Sequence, residues 1–306
     1  MRNIFENYRV VNNKKWDWIY VIYKKILEGL IRKNSQYIIS SGIPQFFIIS
    51  QDHISNRVIL NGIYERDYLD SAMEFLRKNK KIKGCAVDAG ANIGNHSLYI
   101  ANFFQSVFSF EPNPRIFPVL NANSKLMNNI KAYEIGLSDE NLKTKINIIN
   151  NYNLGESTVK EDSNVKIESS YEIDLVKLDD IEEIQKCEIG LIKIDVENFE
   201  LKVLKGAAQL IKEKSPVIFF EQHKSCFPEN GSDSECVNFL KVQGYNYFYE
   251  VDIFPRVQFI KNRHIRNIIQ HILRILFGYS YEVKIIEKFN RRFYSFIIAS
   301  NAELSA

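Results

Sequence analysis

From residue 85 onward the sequence alternates short apolar runs with helical stretches, the runs falling at 85–88, 106–111, 131–135, 191–195, 217–221, 245–250 and 293–299. Strands regularly separated by helices cannot pair as hairpins; they predict an α/β fold with a doubly wound, mostly parallel sheet. A chain of 306 residues accommodates one large domain of this kind with additions, or two small domains.

The additions are visible. Residues 1–82 read as a helical and short-strand N-terminal extension, a cap and contact arm ahead of a catalytic sheet over 83–306. Within it Trp18, Ile19, Ile22, Tyr23, Ile26, Leu27 and Leu30 recur at helical spacing, an amphipathic stripe expected to pack on the core or pair in a homodimer. Residues 46–50 and 57–60 read as two short strands joined by a polar turn, and 67–80 as a helix. Two insertions interrupt the alternation, an Asn- and Ser-rich stretch at 142–181 and a basic-then-apolar stretch at 261–278.

Charge and cysteine usage exclude several classes. Forty Lys and Arg against 37 Asp and Glu give a net charge of only +3, so no nucleic-acid partner is expected. Cys85, Cys187, Cys226 and Cys236 lack the spacing of zinc ligands, and no apolar run is long enough to span a bilayer. The expected location is the cytoplasm.

The segment Val87-Asp88-Ala89-Gly90-Ala91-Asn92-Ile93-Gly94-Asn95-His96-Ser97 joins the first run to a helix. Gly90 and Gly94 permit close backbone approach, and Asp88 at the strand end suits a cationic or hydroxyl-bearing ligand better than a pyrophosphate. Glu111, in Phe110-Glu111-Pro112-Asn113-Pro114, follows about 20 residues later, where an acid can hydrogen-bond both ribose hydroxyls. Together they indicate a nucleoside-containing cofactor. A nicotinamide dehydrogenase shares that second acid, but the turn here lacks GxGxxG spacing.

With the segments from Lys193 to Ala207 (KIDVENFELKVLKGA) and from Val217 to His223 (VIFFEQH), the sequence resembles the FkbM-type S-adenosylmethionine-dependent methyltransferases. Six strings carry the likeness in order over roughly 61–223: DxGANxGxxS, FEPNP, GLSD at 136–139, LDD at 178–180, KIDVExFExxVLKGA and the strand-terminal Glu221. The resemblance implies a class I, Rossmann-like methyltransferase fold of seven strands ending in a reversed hairpin. It also implies methylation of an oxygen with S-adenosyl-L-methionine as cofactor, on a sugar or sugar nucleotide such as a residue of a bacterial capsule. A secondary metabolite or lipid acceptor, or a non-catalytic cofactor-binding scaffold, are the alternatives.

By position the resemblance places Asp88, Gly90, Asn92, Gly94 and Ser97 around the methionine part, Glu111 at the ribose, Leu137, Ser138 and Asp139 beside the adenine, and Glu65 near the methionyl amine. Asn198 replaces the usual glycine after DVE, and asparagine best tolerates a left-handed turn. His223, past a strand ending in Glu221, is the leading general base, oriented by Glu221 or Asp195. Alternatively Asp195 and Glu221 hold a divalent metal that acidifies vicinal hydroxyls. Tyr152, Tyr245, Tyr247 and Tyr249 are candidates to stack on sugar faces, although most aromatic residues are expected in the core. His96, inside the glycine-turn helix start, is expected to pack there or touch the cofactor, and His53, His264 and His271 lack an acidic partner at recognisable spacing.

Overall fold

The computed structural model describes residues 17–148, 157–158, 167–229, 231–254, 260, 262–278 and 280–305. Three helices lead in: α1 (Asp17–Ser40), α2 (His53–Asn61) and α3 (Arg66–Lys78). Strand β1 (Cys85–Ala89), helix α4 (Asn95–Ile100), strand β2 (Ser106–Phe110), helix α5 (Phe117–Ser124) and strand β3 (Ile130–Tyr133) then follow.

The stretch at 142–181 folds mainly as a separate small sheet from β4 (Gly136–Leu137), β5 (Leu142–Ile148), β6 (Ser157–Thr158) and β7 (Ser169–Val176), closed by helix α6 (Glu182–Gln185). The main sheet resumes with β8 (Ile189–Ile194), helices α7 (Glu200–Gly206) and α8 (Ala208–Lys214), β9 (Val217–Gln222) and helix α9 (Glu235–Val242). It ends with β10 (Tyr247–Phe254), helix α10 (Arg263–Phe277), β11 (Ser280–Ile285) and β12 (Tyr294–Ser300).

The main sheet runs β11-β10-β12-β9-β8-β1-β2-β3. Strands β3, β2, β1, β8 and β9 are parallel, while β12 enters antiparallel between β9 and β10. This is the reversed final hairpin of a class I methyltransferase sheet, with β11 added at the edge as an eighth strand. The eighth strand escapes detection in the sequence because only Tyr281 and Val283 on one face of β11 pack against the core.

Each central strand divides its side chains between two cores. Val87 and Ala89 of β1 pack with Val203, Leu204 and Leu210 on one face, whereas Ala86 packs with Leu69, Met73, Leu76 and Ile100 on the other. The chain leaves β1 toward β2 and later returns on the opposite side at β8. Ligands of open α/β sheets bind at such a switch point, outside the strand carboxyl ends.

The two short strands expected near the N-terminus are corrected. Residues 57–60 belong to α2, whose start is capped by Asp52 accepting from the Ser55 N–H at 2.9 Å, and whose Val58 is buried. Residues 46–50 form no strand, and their backbone bonds to side chains instead. The Asn123 amide accepts from Phe47 N at 2.7 Å and donates to Phe47 O at 2.9 Å, and the Ser55 hydroxyl takes Ile49 N. Asn123 also donates to Ile93 O at 2.7 Å, so the N-terminal segment is fastened to the glycine turn. The expected stripe lies on α1, where Trp18, Ile22, Ile26 and Leu30 stand exposed.

Candidate active site

The glycine turn follows β1 because its backbone needs conformations that side chains resist. Gly90 has φ of +75°, and a Cβ there would sit 1.8 Å from the Asp195 carbonyl oxygen, so only glycine lets the turn cross the end of β8. Gly94 opens α4 at φ of +88°. Asn92 also adopts positive φ, and its N–H donates to Glu111 Oε2 at 3.0 Å.

Beneath the turn lies a buried polar cluster. Asp88 is fully buried; its Oδ2 accepts from the Ser97 hydroxyl at 2.6 Å, and Ser97 in turn accepts from Ser109 at 2.8 Å. The Lys193 ammonium stands 3.0 Å from Asp88 Oδ1 and 3.4 Å from Asp195 Oδ2, and donates to Gly90 O at 3.2 Å. Burial alone would push the Lys193 pKa down, but the two carboxylates outweigh it and hold the amine above its ordinary range. Asp88 and Ser97 therefore have no surface for a ligand and support the turn from below, where direct contacts with the cofactor's methionine part were expected.

Lys193 was missed in the sequence, where its signal is a lone lysine inside the apolar run Leu191-Ile192-Lys193-Ile194. A cation at a buried strand position must be paired, and the acids flanking the turn are its partners.

Glu111 directly follows β2 and is almost completely enclosed, its two oxygens accepting from the N–H groups of Asn92 and Asn113. Burial pushes its pKa up to about 7, against the opposing pull of those amides and of Lys193. Leu137 and Ser138 are buried in the core, leaving Asp139 as the partly open member of that trio, 3.7 Å from the Lys202 ammonium.

The carboxyl ends of β8 and β9 collect acids. Glu221 Oε1 is 3.2 Å from His223 Nε2, and Glu197 Oε2 is 3.8 Å from the same nitrogen. Burial first, then the charges of Asp195, Glu197, Glu65 and Glu200, raise Glu221 to about 8. Asn198 takes the left-handed conformation at φ of +68°, as its side chain permits. Tyr64 and Glu65 reach the cluster from the N-terminal side: Glu65 Oε2 lies 3.4 Å from His96 Nε2, and the Tyr64 ring stacks on His96. Reciprocal bonds between Asn95 and the Tyr64 backbone pin this turn to the head of α4. His53 and His96 thus pack around Tyr64, His53 edge-on to its ring.

Tyr64 and Glu65 also line a cavity of about 570 Å³ shared with Tyr37, His53, Arg57 and Tyr281. Tyr245 and Tyr249 are not available to it. Both are fully buried, donating to Pro216 O and Leu304 O, which corrects the expectation that they stack on substrate. Tyr152 lies outside the described residues. Among the described residues no group of three or more His, Cys, Asp or Glu side chains is arranged to hold a metal ion, and the four cysteines are free thiols. No helix among them is long and apolar enough to cross a membrane.

Residues 88–247 match the family described as the methyltransferase FkbM domain. The chain belongs to the FkbM methyltransferase family. Its relatives include "Methyltransferase sdnD" of Sordaria araneosa, 30% identical over 195 residues that cover 52% of this chain and 74% of that protein. The "Hexuronic acid methyltransferase AglP" of Haloferax volcanii is 27% identical over 218 residues, 70% of this chain and 82% of its own. Among solved structures, the FkbM methyltransferase from Methylobacillus flagellatus is 22% identical, with a TM-score of 0.32 over 45% of this chain and 32% of its own. For this FkbM methyltransferase, the family match covers the glycine turn, Glu111, Lys193 and the Glu221–His223 pair together.

Proposed function

We propose that the protein is an S-adenosylmethionine-dependent O-methyltransferase of a sugar hydroxyl, on a sugar nucleotide or a residue of a surface glycan, acting in the cytoplasm. The observation that carries the chemistry is the Glu221–His223 pair. Its Oε1–Nε2 separation of 3.2 Å aims one imidazole nitrogen at a carboxylate and leaves Nδ1 to take the acceptor's proton.

The donor set fits the cofactor. Glu65, Asp195, Glu197, Glu200 and Glu221 form one electrostatic neighbourhood, and their mutual repulsion adds to burial in raising Glu221. A cation bearing a sulfonium and an ammonium relieves that repulsion, as a neutral or anionic ligand does not. Glu111 beside the turn is the partner for ribose hydroxyls, and Asp139 borders the adenine. When bound, S-adenosylmethionine supplies a methyl group already activated on sulfur. What remains for the chain is to align the acceptor oxygen and remove its proton, and a positioned base contributes on the order of 10²- to 10⁴-fold.

For the acceptor we infer the cavity between α1, α2 and β11, because Tyr64 and Glu65 form a wall common to it and the acid cluster. Tyrosine faces suit sugar rings, and Arg57 and His53 suit their polar substituents. The hexuronic acid for which the Haloferax volcanii relative is named supports a sugar acceptor. Incubation with methyl-labelled S-adenosylmethionine and a panel of sugar nucleotides, uronic acids included, tests this. The expected product is a labelled O-methyl ether on a sugar, and label on nitrogen or carbon instead would refute the reading.

A further inference from the structure

Helix α10 combines an exposed apolar face with a sequence that is basic and free of acids. Its sequence, RHIRNIIQHILRILF, places Ile265, Ile268, Ile269, Ile272, Leu273, Ile275 and Leu276 on one arc at 100° per residue. Arg263, Asn267, Gln270 and Arg274 occupy the opposite arc, His264, His271 and Arg266 lie at its margins, and the helix carries no acid.

In a helix docked on a protein core the apolar arc is the buried one. Here Ile265, Ile268, Ile272, Ile275 and Leu276 are between 47% and 70% exposed, and Phe277 at the end is 77% exposed. Ile269 and Leu273 are only partly covered. The sheet beneath is already closed on both faces by other elements.

Charge identifies what covers the apolar arc. A helix sequence with three arginines and no acid behind a continuous apolar face matches an anionic bilayer surface, whose acyl boundary the isoleucines enter. At 15 residues the helix is too short to span a bilayer, which needs about 20. A second copy of α10 would cover the isoleucines but bring together two helices that each carry three arginines and no acid.

Topology adds direction. Strand β10 is antiparallel to β12, which is antiparallel to β9, so β10 runs with the parallel strands and Phe254 ends at their carboxyl edge. Ser280, the partner of Phe254 in β11, starts from that same edge. Helix α10 is therefore carried on the edge that holds Asp195, Glu221 and the glycine turn.

We propose that α10 is a monotopic docking helix that lays the carboxyl edge of the sheet against an anionic lipid surface. The active site then faces the membrane, which suits an acceptor sugar held there by a lipid. That last clause rests on the proposed methyl transfer; the docking itself does not.

Cosedimentation of the full chain with vesicles of phosphatidylcholine alone, and with vesicles of phosphatidylcholine mixed with anionic phosphatidylglycerol, tests the docking. Binding is expected on the anionic vesicles, falling roughly tenfold or more in Ile268→Asp/Ile272→Asp and with added salt. A Phe277→Trp variant is expected to shift its emission to the blue on the same vesicles. Retained S-adenosylhomocysteine binding shows that the aspartate variant is folded. Absence of binding at any anionic content, or equal binding by the aspartate variant, overturns the proposal. A dimer in solution that Ile268→Asp/Ile272→Asp splits to monomers overturns it as well, because a second copy then owns the face. Vesicle binding with no methyl transfer to any sugar would leave the docking standing and remove the proposed reaction.

Discussion

Glu221 Oε1 and His223 Nε2 stand 3.2 Å apart at the carboxyl end of β9, where burial and then a surrounding cluster of carboxylates raise Glu221 to about 8. The pair is coupled: while Glu221 is protonated it cannot stabilise an imidazolium, and once ionised it can.

The rate of methyl transfer is therefore expected to rise with pH and level off above about 8. His223→Ala lowers kcat by about 10²- to 10⁴-fold with little change in affinity for S-adenosylhomocysteine. Glu221→Gln keeps the fold and loses the rise near pH 8. A flat profile in the parent enzyme, or an unaltered kcat for His223→Ala, removes the pair from the chemistry.

Lys193 neutralises Asp88 where water does not reach, and also pairs with the partly exposed Asp195. Lys193→Met strands Asp88 as a buried unpaired charge and should cost about 3–5 kcal/mol of stability. Asp88→Asn in the same chain is expected to restore much of that loss. Urea denaturation of the single and double variants reads both values, and additive losses would argue against the pairing.

Glu111 makes stability depend on pH. Its folded pKa of about 7 exceeds the ordinary unfolded carboxylate value near 4.3, so the folded state holds the extra proton between them. Stability from this group is complete below about pH 4.3 and is lost as pH rises through about 7. Glu111→Gln is expected to flatten that slope, making the ligand-free protein more stable at pH 8 while weakening S-adenosylhomocysteine binding. Thermal unfolding at pH 5 and pH 8 compares the two; an unchanged slope would contradict the burial argument.

Left-handed positions should respond according to the space around them. Gly90→Ala sets a Cβ against the Asp195 carbonyl and is expected to abolish cofactor binding. Asn198→Gly, exposed at φ of +68°, should leave activity within about twofold, whereas Asn198→Val should cost about 1–2 kcal/mol through strain. Calorimetric titration and thermal unfolding distinguish the three.

The central strands and the glycine turn were legible because their signals are local: an apolar run, a turn needing glycine, an acid at a fixed distance. What escaped depended on tertiary partners. Residues 46–50 have strand composition, but Asn123, 76 residues from Phe47 in sequence, occupies their backbone groups. Asp88 and Ser97 look like ligand contacts until Lys193 is brought against them from β8. Tyr245 and Tyr249 carry polar tips that suggest substrate, yet each finds a buried carbonyl. Strand β11 shows only a half-buried alternation after an insertion, too weak a pattern to separate from a loop.

The proposed reaction requires a cationic adenosyl cofactor at the switch point between β1 and β8. Isothermal titration of the full chain with S-adenosylmethionine, S-adenosylhomocysteine and NAD measures that directly. One site per chain for both adenosyl ligands, lost in Gly90→Ala and absent for NAD, is the predicted result; binding of NAD in place of the adenosyl ligands would contradict it.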